Sequence, residues 1–192
     1  MKIMEMTERP GGRIVSCADL DYDDPLAALM ACHRKIEDQL ERMAEAAREI
    51  VEAGPAALPA AIARLVGAKA RFGGPRDRHT QDEELSLFPR LLGAPRRVDT
   101  RVVRAVERLR DEHRVAEARH GEFRDLVAAV RLGAPVRLAD ARRLVACVSS
   151  LSALYLAHIE LEEEVVYREA ARVLSTGELA AVGDEMRARR AR

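Results

Sequence analysis

Four of the five histidines in this 192-residue chain belong to a pattern that occurs twice. In each copy a first histidine is followed 45 or 46 residues later by a second one, and a glutamate stands four residues after the second. The copies are His33, His79 and Glu83, and then His113, His158 and Glu162. A spacing of four places two side chains on one helical face, one turn apart. The pattern therefore predicts a helical fold with two matched halves.

Apolar residues recur at helical spacing around each histidine, and Gly/Pro pairs separate the resulting stripes. A composition rich in Ala, Leu, Arg and Glu also favours helix. The fold predicted is all-α, an up-down-up-down four-helix bundle with an N-terminal arm and a short C-terminal helix. We expect the arm over residues 1–23, the bundle over 24–175 and the tail helix over 176–192. The arginines that end the tail are expected to be solvated.

Composition and charge argue against several classes of protein. The formal net charge is zero, so we expect no nucleic-acid partner. We expect no membrane association, because the sequence shows no apolar run near the length of a span, and a cytoplasmic location, because the N-terminus shows no apolar signal core. Three widely spaced cysteines, Cys17, Cys32 and Cys147, do not suggest a disulfide framework. The oligomeric state is left open.

Four inward-facing helices would bring four imidazoles and two carboxylates to a common centre, a ligand set suited to a pair of iron or manganese ions. Without a metal, so many buried polar groups would be costly. Spacing alone does not choose the carboxylates, because all four histidines have a glutamate four residues on: Glu37, Glu83, Glu117 and Glu162. Glu37 and Glu117 lie at the edges of their stripes, which favours an outer or solvated position for them.

Three further residues have open roles at this point. His120 lies two turns beyond His113, about 10 Å along the helix, and we interpret it as a core or channel histidine. Tyr155 stands one turn before His158 and either packs or reaches the site. Cys32 neighbours His33 in sequence but points to another face, where a redox role is an alternative to packing.

Two segments resemble the signature of hemerythrin-like (HHE cation-binding) domains. His79 to Pro89 reads HTQDEELSLFP, similar to the family's His-x-x-x-Glu-Glu-x-x-Leu-Phe-Pro, and His158 to Tyr167 resembles a second copy. Glu112-His113 resembles the family's start on the third helix, and the likeness covers residues 24–174. It implies a non-haem di-iron centre, oxo- or hydroxo-bridged, with the four paired histidines as terminal ligands and Glu83 and Glu162 as bridges.

The chain departs from oxygen-carrying hemerythrin, which has a further histidine where this chain has Glu117 and an acidic bridge at the position of Glu163. With four histidines and two bridging carboxylates, one position remains open on each iron. The resemblance therefore implies binding or sensing of O₂, NO or peroxide. An oxidase, peroxidase or NO reductase supplied by an external electron donor is the alternative, and iron storage or delivery is the third hypothesis. Whether the chain is an enzyme stays undecided.

Overall fold

Helix is the only regular secondary structure in the part of the chain that the computed structural model describes, namely residues 20–53, 57–70, 75–94, 98–131 and 137–191. The predicted all-α class is therefore confirmed. Most of the predicted N-terminal arm, residues 1–19, lies outside the described residues.

The helices follow the predicted order, and two π-helical turns lie between successive helices. They are α1 Pro25–Glu52, α2 Leu58–Ala70, α3 Pro75–Asp82, α4 Phe88–Leu92, α5 Thr100–Arg131, α6 Leu138–Leu161, α7 Arg168–Val173 and α8 Thr176–Arg190. The π-helical turn Glu83–Leu87 joins α3 to α4, and the π-helical turn Glu162–Tyr167 joins α6 to α7. Sequence periodicity located the helices but did not predict these two turns.

Local capping explains where two of the helices begin. The Asp24 carboxylate accepts a hydrogen bond from the backbone N–H of Ala27 at 3.0 Å, and Pro25 occupies the first turn of α1. At α8, Ser175 and Glu178 form a capping box, in which each side chain accepts from the other residue's backbone N–H. These contacts satisfy N–H groups that have no partner within the helix.

The apolar core consists of two clusters with a polar level between them. Along α1, the residues up to Leu29 belong to one cluster, and the residues from Ile36 onward belong to the other. In α5 the same change falls between Leu109 and Ala116. These two gaps contain His33 and His113, so the paired histidines are held between two layers of packed side chains.

The continuous helical stretch Leu138–Val173 is long and apolar enough, by length and composition alone, to cross a membrane. The sequence analysis did not anticipate such a stretch. Packing of α6 against both α1 and α5 accounts for part of its apolar character, and 39% of its most apolar window is buried. Leu144 and Leu151 in this stretch are fully buried, and a buried core helix has the same composition.

Two arginines at the end of α8 contradict the expectation of a solvated tail. Arg189 and Arg190 each donate to a different oxygen of Asp82, both at 2.6 Å. The Asp82 side chain is fully buried, and its two partners are largely buried. A buried carboxylate requires such compensation, so these arginines fasten α8 to the end of α3. Arg187 is more exposed and pairs with Asp23 and Asp184.

Close packing of α8 on the chain before α1 gives a test of this arrangement. A methyl group added at Gly183 would overlap the carbonyl oxygen of Tyr22. Gly183→Ala should therefore lower the free energy of unfolding by about 1–3 kcal/mol through overpacking. Gly67 lies inside α2 with no atom near its added methyl, so Gly67→Ala should raise it by about 0.5–1 kcal/mol. Denaturant unfolding of both variants checks this, and equal effects would contradict the packing of α8.

Candidate metal centre

Six side chains predicted as ligands converge between the two apolar clusters. We call His33 and His79 the A-side histidines, His113 and His158 the B-side histidines, and Glu83 and Glu162 the central glutamates. They form two groups, each containing one histidine pair and both central glutamates, and the potential ligand atoms of each group lie within 4.8 Å of one another. The six side chains are at most 8% exposed. The structure thus brings together every residue of the predicted set.

On the A side, the ring nitrogens face each other and one oxygen of each central glutamate. The Nε2 atoms of His33 and His79 are 3.0 Å apart. Glu162 Oε2 lies 3.0 Å from His33 Nε2, and Glu83 Oε1 lies 3.4 Å from His79 Nε2. Four donor atoms from four helical segments therefore surround one point.

The B side repeats this arrangement with the other oxygen of each central glutamate. The Nε2 atoms of His113 and His158 are 3.0 Å apart. Glu162 Oε1 lies 2.9 Å from His158 Nε2, and Glu83 Oε2 lies 3.4 Å from His113 Nε2. Each central glutamate thus offers one oxygen to each side, as a carboxylate does when it bridges two metals.

Three further carboxylates orient the histidine rings from outside the centre. The Nδ1 atom of His113 lies 2.8 Å from Glu84, and that of His158 lies 2.9 Å from Glu112. His33 Nδ1 lies 2.8 Å from Glu163 in the same way. A carboxylate only accepts hydrogen bonds, so each of these nitrogens donates its proton outward. In neutral rings the Nε2 lone pairs are thereby directed at the centre, as in metal-ligating histidines.

This tautomer makes the short B-side contact unfavourable in the absence of a cation. Two neutral rings that both carry the proton on Nδ1 present only lone pairs to each other at Nε2, so the 3.0 Å contact is a hydrogen bond only when one ring carries a second proton. In addition, Glu83 Oε2 and both Glu162 oxygens are buried without a hydrogen-bond partner among the described residues. Facing lone pairs and orphaned carboxylate oxygens around one point fit a bound metal ion.

The central glutamates are positioned by the two π-helical turns. Glu83 and Glu162 are the first residues of these turns. The backbone N–H of Phe88 bonds to the Glu83 carbonyl, five residues back rather than four. This wider turn lets consecutive glutamates serve the same site, since Glu83 faces the centre while Glu84 holds His113. Single π turns of this kind are frequent at functional sites.

Burial and charge act in opposite directions on the ionisation of this cluster. Burial lowers the pKa of His79 to about 3 despite the neighbouring Glu83. At His158 burial also disfavours the charged ring, but Glu162 and Glu112 outweigh it and raise the pKa to about 10. Burial likewise opposes ionisation of Glu162, yet the adjacent histidines hold its pKa well below its ordinary value. The raised pKa of His158 and the lowered pKa of Glu162 share one cause, which is the attraction between these two groups.

The other residues singled out from the sequence lie away from the centre. Glu37 and Glu117 are partly exposed and pair with Arg34 and Arg124, which agrees with a solvated position. His120 is buried, and its Nε2 lies 2.9 Å from the Tyr155 hydroxyl. The Tyr155 ring contacts the His158 ring edge-on at 6.4 Å.

Two of the cysteines are described, and both are buried. Cys32 occupies the position before His33 that Glu112 occupies before His113. The Cys147 sulfur donates to the carbonyl of Arg119 at 3.5 Å, and burial raises the pKa of its thiol.

Sequence reasoning did not identify the outer carboxylates or the contact of Tyr167 with the centre. The Tyr167 hydroxyl donates to Glu83 Oε1 at 2.5 Å and lies 3.2 Å from His33 Nε2. Burial, Glu83 and Glu162 raise its pKa well above the ordinary value. Signals for these residues existed, because Glu84 and Glu163 are the second members of Glu-Glu pairs and Tyr167 ends the repeated motif.

Comparison with known proteins supports the geometry. The family model for the hemerythrin HHE cation-binding domain matches residues 24–170. The chain belongs to this family. Family membership implies a metal cofactor, typically iron, and the matched segment contains all six converging side chains of the centre. A search of curated proteins found no match.

Replacing glutamates by glutamine tests which carboxylates hold the metal in this hemerythrin-like domain. Glu83→Gln and Glu162→Gln each replace a carboxylate shared by both sides with a neutral amide, so iron content after iron-limited loading should fall sharply. Glu37→Gln and Glu117→Gln are the matched controls and should bind iron as the unmodified chain does. Replacement of an outer carboxylate, Glu112→Gln, should give an intermediate loss of about 10–100-fold in affinity. Greater losses in the two controls would contradict the assignment.

Proposed function

We propose that this chain is a non-haem di-iron protein that binds or senses O₂, NO or peroxide. One iron would be held by the A-side histidines and the other by the B-side histidines, with the central glutamates shared between them. When bound, such an iron pair supplies redox chemistry and coordination of small ligands. The observation that carries the proposal is the 3.0 Å Nε2–Nε2 contact between two B-side rings whose Nδ1 atoms are both held by carboxylates.

Burial of the centre limits the size of its ligand. Its six side chains are at most 8% exposed and lie between two apolar clusters. A molecule of a few atoms fits between such side chains, whereas a larger substrate would have to displace packed residues. This favours O₂, NO and peroxide over larger organic substrates.

The polar level between two apolar clusters also supports the predicted bundle. Along α1 and α5 the cluster containing Leu29 and Leu109 precedes the histidine. In the second π-helical turn and α7, that same cluster follows the His158–Glu162 motif, beginning at Val166. We therefore infer that these helices alternate in direction, as in an up-down-up-down bundle. A cytoplasmic location is a further part of this proposal, and an external electron donor belongs to the enzyme alternative.

An enzyme with the same centre is the second candidate function. The observation that favours it is the linked series formed by His120, Tyr155 and His158, in which the first two are hydrogen-bonded and the last two are in ring contact. A hydrogen-bonded histidine and tyrosine beside His158 would suit proton transfer in an oxidase, peroxidase or NO reductase. Iron storage or delivery is the third candidate, and it has no such observation in its favour.

Metal quantification tests the shared centre. Protein produced with ample iron should contain about two irons per chain, because two histidine pairs share two bridging carboxylates. His79→Ala and His158→Ala should each reduce the iron content and the thermal stability together, since metal binding favours the folded state. The exposed Arg42→Ala is the control and should change neither. A reproducible value of one iron or less in the fully loaded chain would contradict the pair.

Mixing the reduced protein with O₂ separates binding from enzymatic turnover. For a binding or sensing protein, we expect an oxygenated absorption spectrum that persists and that is reversed when O₂ is removed. Continuous O₂ consumption with an added electron donor would instead support the enzyme. Stopped-flow absorption and an oxygen electrode provide the two measurements. Release of iron from the protein when it is oxidised would favour storage or delivery.

A further inference from the structure

Among the residues that the structure describes, the A side of the centre has an oxygen donor that the B side lacks. The Tyr167 hydroxyl lies 3.2 Å from His33 Nε2 and 2.5 Å from Glu83 Oε1. The Tyr167 side chain is buried, and its ring stacks on the His33 ring with centroids 5.4 Å apart and planes 12° from parallel. The hydroxyl is therefore directed at the same point as the A-side ring nitrogens.

The spacing of the A-side donor atoms matches that of ligands on one metal ion. Bonds of about 2.1 Å that meet near a right angle place neighbouring ligand atoms about 3 Å apart. The separations between A-side nitrogens and central carboxylate oxygens run from 3.0 to 3.4 Å. The 3.2 Å from the Tyr167 hydroxyl to His33 Nε2 falls within this range, whereas its 2.5 Å contact with Glu83 Oε1 is a shorter hydrogen bond. The hydroxyl oxygen therefore lies among the A-side donor atoms, where it can replace the proton that it gives to Glu83 with a bond to a metal.

The matching position on the B side carries no oxygen. Phe88 stands five residues after Glu83, as Tyr167 stands five after Glu162. Its ring stacks on the ring of His113 at 6.4 Å and 11°, which repeats the stacking of Tyr167 on His33. The two aromatic residues therefore occupy equivalent places, and the hydroxyl is the difference between them.

We propose that the Tyr167 hydroxyl is a protein ligand of the A-side iron, so that small ligands bind at the B-side iron alone. This inference rests on the proposed di-iron function. With Tyr167 the A side has five protein donors and the B side has four. One shared solvent group would then complete about six ligands on the A side and leave a position open on the B side. The sequence analysis expected an open coordination position on each iron, and this proposal leaves an open position on the B-side iron alone.

Spectroscopy of the oxidised, iron-loaded chain tests this assignment directly. A phenolate bound to Fe(III) gives a visible charge-transfer band, and excitation in that band enhances tyrosine ring vibrations in the resonance Raman spectrum. We expect both signals in the unmodified chain and their loss in Tyr167→Phe. Tyr155→Phe is the matched control, because Tyr155 is also buried on this stretch of helix but bonds to His120; it should retain both signals.

Azide titration provides a second measurement. The oxidised unmodified chain should bind about one azide, and Tyr167→Phe about two, because removing the hydroxyl opens a position on the A-side iron. Iron content, measured first, separates the two proposals. Two irons per chain without tyrosine vibrations in the unmodified protein would overturn the ligand assignment alone, and leave Tyr167 as a hydrogen-bond donor to Glu83. Vibrations that disappear in Tyr155→Phe would also overturn it, and failure to bind iron would overturn both proposals.

Discussion

Compensation of buried charge at the centre is the constraint on which the rest of the structure depends. Two carboxylates and four imidazoles are enclosed between apolar clusters, where an uncompensated charge costs several kcal/mol. The outer carboxylates do not solve this problem, because they direct the Nδ1 protons away from the centre and the Nε2 lone pairs into it. Either protons on the rings or metal ions must balance the central glutamates. A metal that provides this compensation would link its own binding to folding.

The π-helical turns convert a simple helical repeat into this site. A regular helix would place only one glutamate of each Glu-Glu pair on the inner face, since neighbours point about 100° apart. The wider turn lets Glu83 and Glu84 contact the two nitrogens of the same His113 ring from different directions. It also carries Phe88 and Tyr167 to the level of the rings on which they stack.

Most of the centre could be predicted from the sequence, because its strongest signal is local. A histidine and a glutamate four residues apart share a helical face independently of the rest of the chain. The second copy makes it harder to interpret either pair as a chance occurrence. The outer carboxylates could not be obtained from the same rule. Periodicity assumes a uniform helix, in which Glu84 and Glu163 would point about 100° away from Glu83 and Glu162. The pairing of Arg189 and Arg190 with the buried Asp82 was also not predicted, because nothing near these arginines in the sequence indicates it.

The asymmetry of the centre has a counterpart in the way that the two halves are supported. The two arginines of α8 hold Asp82, directly before the first π-helical turn, and Ser86 within that turn contacts Arg189 and Glu185. In the second copy, Leu161 and Val165 replace Asp82 and Ser86 and pack against the apolar cluster. The single helix α8 packs beside the first copy of the motif, so the two copies have different neighbours. The difference between Phe88 and Tyr167 is the part of this asymmetry that lies at the centre itself, because their rings stack on His113 and His33.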